Sequence, residues 1–294
     1  VNASIESLVG DAFASIGARV NVTAAKPLSG GCINAAWQVT TSEGIFFLKT
    51  NPHCPDDLFE CEFENLQAIH AVGKIATPRP VAWGPARGEQ PAFLLTEMIQ
   101  KGPRTWNFFE IFGAQLAEFH RAAVGERYGF RRDNYIGSTP QPNPWSGSWT
   151  DFFREHRLLH QLHLAEQNGY RGELQRMGYR LADTLERWTD EPEEPPTLLH
   201  GDLWSGNYLC TEDGEPCLVD PACYYGRREA DLSMTQLFGG FDQRFYDAYE
   251  EAWPLEEGAR ARMDIYKLYH QLNHLNLFGG TYLSGCLESL RRFV

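Results

Sequence analysis

The β-prone runs of this chain gather before about residue 100 and helical spacing dominates after it, and that order limits the folds open to it. Before about residue 100, the runs 19–28, 33–41, 45–50, 81–83 and 93–98 are rich in β-prone residues and read as strands. Ser42-Glu43-Gly44 joins two of these runs as a hairpin. Helical spacing interrupts the block only at 5–16 and 56–71. From residue 107 onward the period is helical, at 107–123, 149–167, 172–188 and most of 230–294. Strands gathered first and helices gathered after them predict an α+β architecture, not a βα alternation. The expected organisation is an N-terminal lobe over 1–97, with an antiparallel sheet and a helix. A joint at 98–102 and a larger, mainly helical lobe over 103–294 follow. Residues 133–147, rich in Pro, Asn and Gly, read as a long loop.

Composition excludes several classes. A chain of 294 residues buries a core without staples. With 39 acidic against 26 basic residues and a net charge of −13, it repels phosphate backbones, so no nucleic-acid partner is expected. No apolar run reaches the length of a membrane span. Residues 1–17 contain acids and no Lys or Arg, unlike a secretory signal, and a cytoplasmic location is expected. The seven cysteines include no C-x-x-C pair, which argues against a disulfide framework or a structural zinc site. Neither G-x-x-x-x-G-K-[ST] nor G-x-G-x-x-G occurs.

The chemistry concentrates in Leu198-Leu199-His200-Gly201-Asp202-Leu203-Trp204-Ser205-Gly206-Asn207, followed by Leu218-Val219-Asp220 at the end of an apolar run. Transfer of a phosphoryl group to an alcohol needs a carboxylate to take the hydroxyl proton. It also needs a carboxamide oxygen and a second carboxylate to hold Mg²⁺ against nucleotide phosphates. Asp202 suits the first role, Asn207 and Asp220 the others. Two converging carboxylates without a cation would repel by roughly 4 kcal/mol at 4 Å and an effective dielectric of 20.

The same scheme predicts features upstream. Lys49 ends the strand run Ile45-Phe46-Phe47-Leu48-Lys49 and is placed to contact phosphates. On the helix 56–71, Phe59, Phe63, Leu66, Ile69 and His70 form an apolar stripe, and Glu62 lies within it. A carboxylate on a buried face wants a cation, and Lys49 is the expected partner. The turn Ser29-Gly30-Gly31-Cys32-Ile33-Asn34 lets backbone N–H groups approach phosphates closely.

Together these residues resemble the protein-kinase-like superfamily in its small-molecule branch, beside the aminoglycoside and choline kinases. Within that branch the chain is similar to the fructosamine kinase (ketoamine kinase) family. The resemblance is carried by His200–Asn207 with its Trp204-Ser205-Gly206 filling, Asp220-Pro221-Ala222-Cys223-Tyr224-Tyr225-Gly226, and Arg228-Glu229-Ala230-Asp231-Leu232. Leu28–Asn34, Thr139-Pro140-Gln141-Pro142-Asn143 and Leu277-Phe278-Gly279-Gly280 add to it. It implies a bilobal protein-kinase-like fold and an ATP- and Mg²⁺-dependent kinase acting on a sugar hydroxyl of free or protein-bound ketoamines, hence deglycation. In that frame Gly30, Gly31, Cys32, Asn34, Lys49 and Glu62 form the phosphate side. Glu97-Met98-Ile99 would meet the adenine through backbone groups, and Asp231 would brace the 200–207 loop. Asp220-Pro221-Ala222 replaces the Asp-Phe-Gly of protein kinases, and no Ala-Pro-Glu follows. A loop-controlled protein kinase is therefore not expected.

For the acceptor, the indole of Trp204 offers a face to a sugar or to a cationic amine. His270, Asn273 and His274, on one late helix, are further candidates to line the pocket or to form a helix surface. His120 and His200 read as hydrogen-bonded braces. Cys32 raises the alternative of a redox-sensitive homodimer beside a monomer. The rival readings are a kinase for an aminoglycoside, choline or another amino-alcohol, and a nucleotide-binding pseudokinase.

Overall fold

The computed structural model describes residues 3–28, 34–189 and 194–294. They form two compact units, one reaching to Phe108 and including Tyr208–Pro221, the other made of Phe109–Asn207 and Ala222–Val294. The division differs from the one expected at 98–102. The first unit runs further, and it takes in a segment that the sequence assigned to the second lobe.

In the first unit, β1 (Val22–Leu28), β2 (Ala35–Thr41), β3 (Gly44–Asn51), β4 (Pro80–Gly84) and β5 (Ala92–Glu97) form one sheet in the order β1-β2-β3-β5-β4. All its pairings are antiparallel. Helix α1 (Ala3–Ser15) covers one face, where Leu8, Val9 and Phe13 pack with Val39, Leu48 and Leu95. Helix α2 (Leu58–Val72) lies on the other face, where Phe59 and Leu66 meet Ala92 and Leu94. Because side chains alternate along a strand, Leu48 and Leu95 on the α1 side put Lys49 and Leu94 on the α2 side. Lys49 and Leu94 are register partners. Helix α2 ends at Gly73, whose φ of 66° is left-handed, as a helix stop favours. His70, expected in the apolar stripe, is exposed, whereas Asn65 is buried. The hairpin of β9 (Tyr208–Cys210) and β10 (Pro216–Leu218) joins this unit by backbone bonds from Gly102 to Cys210, Glu212 to Gln100 and Leu218 to Ala76.

The second unit is mainly helical. Helices α3 (Phe108–Ala122), α7 (Glu229–Leu237), α8 (Gln243–Ala252), the 20-residue α9 (Ala259–Phe278) and α10 (Leu283–Leu290) match the expected helical stretches. The expected helix 149–167 is interrupted. It runs as α4 (Trp149–Phe153), a π-helical turn at Arg154–Leu159, and α5 (His160–Gln167). Helix α6 (Glu173–Asp183) follows, with a 3₁₀ turn at Leu185–Arg187. The region read as a loop at 133–147 contains a hairpin, β6 (Asn134–Ile136) and β7 (Thr139–Gln141). Two short strands, β8 (Thr197–Leu199) and β11 (Tyr224–Gly226), pair antiparallel. Trp149, fully buried, sits among Tyr128, Phe152, Phe153 and Tyr266, and its indole N–H donates to the Tyr266 hydroxyl at 2.9 Å.

Among the described residues no helix is long and apolar enough to cross a membrane, and no disulfide joins the six described cysteines.

The approach of α3 to α8 is set by Gly113, where a Cβ would lie 2.1 Å from the Phe245 carbonyl oxygen. A backbone atom cannot swing away as a side chain can. Gly113→Ala is expected to destabilise the protein by about 2–3 kcal/mol, through forced separation of the two helices. Chemical denaturation reads this directly, and an unchanged midpoint would contradict the close approach.

Candidate functional site

In the first unit, strand parity and helix spacing converge on one buried cation. Lys49 Nζ lies 2.5 Å from Glu62 Oε1 and 2.6 Å from Asp220 Oδ1. Burial opposes the charge on Lys49. The carboxylates of Asp220 and Glu62 outweigh that penalty and hold the ammonium above its ordinary range. Glu62 is pushed up, chiefly by burial, with Lys49 pulling the other way. One turn after Glu62, Asn65 Nδ2 donates to the Pro221 carbonyl at 2.9 Å. Helix α2 thus grips Lys49 with one side chain and the residue after Asp220 with the next. The sequence reading passed over Asn65, although a carboxamide inside the apolar stripe was the available signal. Asp220 has φ 55°, the positive value found among described non-glycine residues only there. Left-handed backbone at such a residue costs roughly 1–2 kcal/mol, and its Lys49 contact and the neighbouring Asn65 bond help hold it.

Asn34 Oδ1 accepts from Asn51 Nδ2 at 2.9 Å, tying Asn34 to the end of β3. Gly30, Gly31 and Cys32 lie outside the described residues. At the end of β5, Glu97 N–H donates to Arg79 and Met98 N–H to Ile45. Of the three expected adenine-binding residues, Glu97 and Met98 thus have their N–H groups engaged within the first unit.

In the second unit, β8 leads into the 200–207 loop. Asp231, in the first turn of α7 and 1% exposed, accepts from His200 N–H at 2.7 Å and Gly201 N–H at 2.8 Å. His120 Nε2 lies 3.2 Å from its Oδ2, and His120 Nδ1 lies 2.8 Å from the Tyr249 hydroxyl. Burial lowers the pKa of His120, and a neutral ring fits both contacts: Tyr249 O–H donates to Nδ1 and Nε2–H donates to Asp231. Burial also works to raise Asp231. The hydrogen bonds from His120 and from the Gly201 N–H outweigh it, and the carboxyl is held below its usual range. Gly201 has φ 82°, and a Cβ there would meet the Ala222 carbonyl at 2.0 Å, so glycine is required. Asp202 N–H donates to His200 Nδ1 at 3.2 Å. Asn207 Nδ2 donates to the Asp202 carbonyl at 2.8 Å and to Asp202 Oδ2 at 3.1 Å. Both His120 and His200 are therefore braces, as expected.

Taken each by itself, Asn207 and Asp220 offer oxygens of the hard kind that a divalent cation prefers. With both Asn207 amide protons directed to Asp202, its carbonyl oxygen is the side-chain atom left for a cation. Asp220 keeps its side chain 51% exposed beside Lys49. Among the described residues no three His, Cys, Asp or Glu side chains gather to hold a metal. Mg²⁺ characteristically takes one or two protein oxygens and completes its shell with phosphates and water.

The four acceptor candidates divide. Trp204 is 37% exposed, and its ring lies over Gly206, where a Cβ would stand 2.4 Å from the indole. Phe238, not singled out from the sequence, meets Trp204 edge-on at 6.1 Å and the His274 ring at 4.7 Å. His274, half-buried, is bonded through Nδ1 to the His270 carbonyl at 2.8 Å. His270 and Asn273 are each 2% exposed, and Asn273 Oδ1 accepts from Gln161. These two face the interior rather than forming a helix surface, because α9 is buried on most sides.

The buried His270 generates a pH prediction. Burial first, then the His274 and Arg157 charges, push its pKa down to about 3. Between pH 7 and 5 the unfolded chain takes up a proton near its ordinary pKa while the folded chain does not, so acidification favours unfolding. His270→Asn should remove about 2 kcal/mol of the stability that the wild type loses over that range. Denaturation at the two pH values measures the difference; equal losses would contradict a neutral buried ring.

The family described as Fructosamine kinase matches residues 7–294. A probable ketoamine kinase of Synechocystis sp. is 39% identical over 91% of this chain and 89% of its own length. A chloroplastic protein-ribulosamine 3-kinase of Oryza sativa subsp. indica is 40% identical over 95% of this chain and 81% of its own. The solved structure of a fructosamine-3-kinase candidate from Thermobifida fusca superimposes with a TM-score of 0.87 at 32% identity, covering 98% of this chain and 97% of that one. A thermostable mutant of aminoglycoside phosphotransferase APH(4)-Ia, solved with AMP-PNP and hygromycin B, gives 0.66 at 16% identity, over 98% of this chain and 95% of that one. At that distance the likeness speaks for the bilobal kinase-like fold alone. Sequence and fold agree over nearly the whole length, and the chain belongs to the fructosamine kinase family.

Proposed function

We propose that this chain is an ATP-dependent kinase that phosphorylates a sugar hydroxyl of ketoamines, the adducts of sugars with amines, and so serves their removal. The observation that carries the reading is the family match over residues 7–294, a stretch that includes every residue the chemistry requires. Curated relatives at about 40% identity are named for the same acceptor class.

Each side chain then has a part. Asp202 takes the proton from the acceptor hydroxyl as its oxygen attacks the γ-phosphorus and the bond to the bridging oxygen of ADP breaks. The Asn207 amide holds that carboxylate in place. Lys49, kept charged and oriented by Glu62, binds phosphate oxygens in exchange for its contact with Asp220. Ile99 N–H and nearby carbonyl oxygens meet the adenine. Asn207 and Asp220 are the residues that would hold Mg²⁺, and the ion would supply positive charge to the phosphates. The exposed face of Trp204, continued by Phe238 and His274, receives the sugar or its cationic amine. His270 and Asn273 support that surface from behind.

The consequence for the acceptor follows from its own chemistry. A phosphate on the carbon next to the ketone leaves readily once the ketoamine enolises toward its nitrogen-bearing carbon. The phosphorylated adduct then falls apart and returns the amine.

The test is ADP release from ATP and magnesium with ribulose-lysine, fructose-lysine, choline and an aminoglycoside as acceptors. Turnover is expected on a ketoamine and should fall by about 10²–10⁴-fold in Asp202→Asn. Turnover confined to choline or the aminoglycoside would overturn the acceptor assignment. Nucleotide binding without transfer to any acceptor would favour a pseudokinase.

A further inference from the structure

The hairpin β6–β7 has no part in the phosphoryl-transfer scheme, yet its two buried amides reach the segment 222–223, which is itself bonded to the loop that carries Asp202. Asn134 and Gln141 stand opposite each other in the hairpin register and are 2% and 1% exposed. Gln141 Nε2 donates to Asn134 Oδ1 at 2.8 Å and to the Ala222 carbonyl at 3.1 Å. Asn134 Nδ2 donates to the Cys223 carbonyl at 2.8 Å. Two side chains thus bind two consecutive carbonyls just before β11 begins. The Ala222 N–H in turn donates to the His200 carbonyl at 2.8 Å, and the Ala222 carbonyl is the atom that a Cβ on Gly201 would strike. Chain segment 222–223 is therefore clamped between the amide pair and the residues immediately before Asp202.

The amides are themselves held. Tyr269 O–H donates to Gln141 Oε1 at 2.7 Å, which fixes the direction of that amide. Asn143 Nδ2 donates to Asn134 Oδ1, and Asn143 Oδ1 accepts from Arg157 at 2.7 Å. Arg157 is fully buried, stands over the Tyr224 ring at 4.0 Å, and donates also to the carbonyls of Pro142 and His156. Its position comes from the π-helical turn Arg154–Leu159, and such turns occur frequently at functional sites. Among the described residues, Pro142, His156 and Asn143 meet Arg157 with carbonyl and amide oxygens, and burying a charge without an opposite charge is costly.

We infer that Gln141, with Asn134 beside it, is a positioning residue for phosphoryl transfer, fixing Ala222–Cys223 and through them the stance of the 200–207 loop. The inference rests on the reading of Asp202 as the proton acceptor. It predicts a loss in the rate of transfer without a matching loss in substrate binding, because neither amide belongs to the surfaces proposed to bind ATP or ketoamine.

Two variants test it, Gln141→Leu and Tyr269→Phe, the second removing only the hydroxyl that orients the amide. Steady-state kinetics are measured well below each variant's melting temperature. Displacement of the loop should lower kcat by about tenfold to a hundredfold in Gln141→Leu, with KM for both substrates little changed. Tyr269→Phe should lose about threefold in kcat, the scale of one neutral hydrogen bond. Hydrogen exchange of the peptide spanning 199–207 gives a readout independent of the acceptor, and should quicken in both variants while peptides of the first unit stay as they were. A lower melting temperature with wild-type kcat and wild-type exchange in that peptide would overturn the inference, leaving a purely structural network. If Gln141→Leu fails to fold, Tyr269→Phe decides by the same readouts. Absence of wild-type turnover on ketoamines would instead count against the proposed function, and the exchange comparison would still decide this one.

Discussion

A carboxylate almost wholly removed from water, Asp231, is the point on which the 200–207 loop depends. A charge so placed survives only if its oxygens are well bonded. Here the partners are the backbone N–H groups of His200 and Gly201 and the His120 ring. Its place in the first turn of α7 adds the favourable end of the helix dipole. The bonds run in both directions of consequence. The charge needs those donors, and the loop needs the charge to hold Gly201 in a left-handed conformation against the Ala222 carbonyl. With Gly201 fixed, the stance of Asp202 follows, and Asn207 closes the loop over it.

The first unit solves a comparable problem with a cation. Lys49 lies among apolar strands, and its ammonium is acceptable there because two carboxylates meet it. Removing one partner of such a buried pair costs about 3–5 kcal/mol, whereas an apolar replacement of the whole pair is often neutral. Stability alone therefore gives no reason to keep three charged groups together. Their retention fits a site that must bind anionic phosphate, and it is consistent with Glu62 and Asn65 standing one helical turn apart on α2, gripping Lys49 and Pro221 in turn.

Much of this was legible in the sequence because periodicity and motif spacing are local. The five strands of the first unit are β-prone runs and α2 carries a helical pattern, and Glu62 announced itself as a charge in an apolar stripe. What failed did so for identifiable reasons. β6, β7, β9 and β11 are three residues long, too short for alternation to register. The π-helical turn inserts into a helical pattern without breaking its composition, so 149–167 reads as one regular helix. His70 fits the stripe by spacing but not by burial, since spacing names a face and not what covers it. His270 and Asn273 read equally well as surface or pocket until α9 is seen to be buried on most sides.

The sequence by itself determined the family and the class of chemistry it implies, and on which element Lys49, Glu62 and the 200–207 motif sit. It even placed Lys49 and Glu62 together, because a strand and the helix that follows it offer few ways to pair. Tertiary structure alone decided that Asp220 reaches Lys49 from 171 residues away, that the 208–221 segment packs with the first unit, and that Gln141 and Asn134 meet the carbonyls of Ala222 and Cys223. The physical reason is that period and propensity are properties of neighbouring residues. Distance between remote groups is set only when the whole chain closes on itself and every buried donor finds its acceptor.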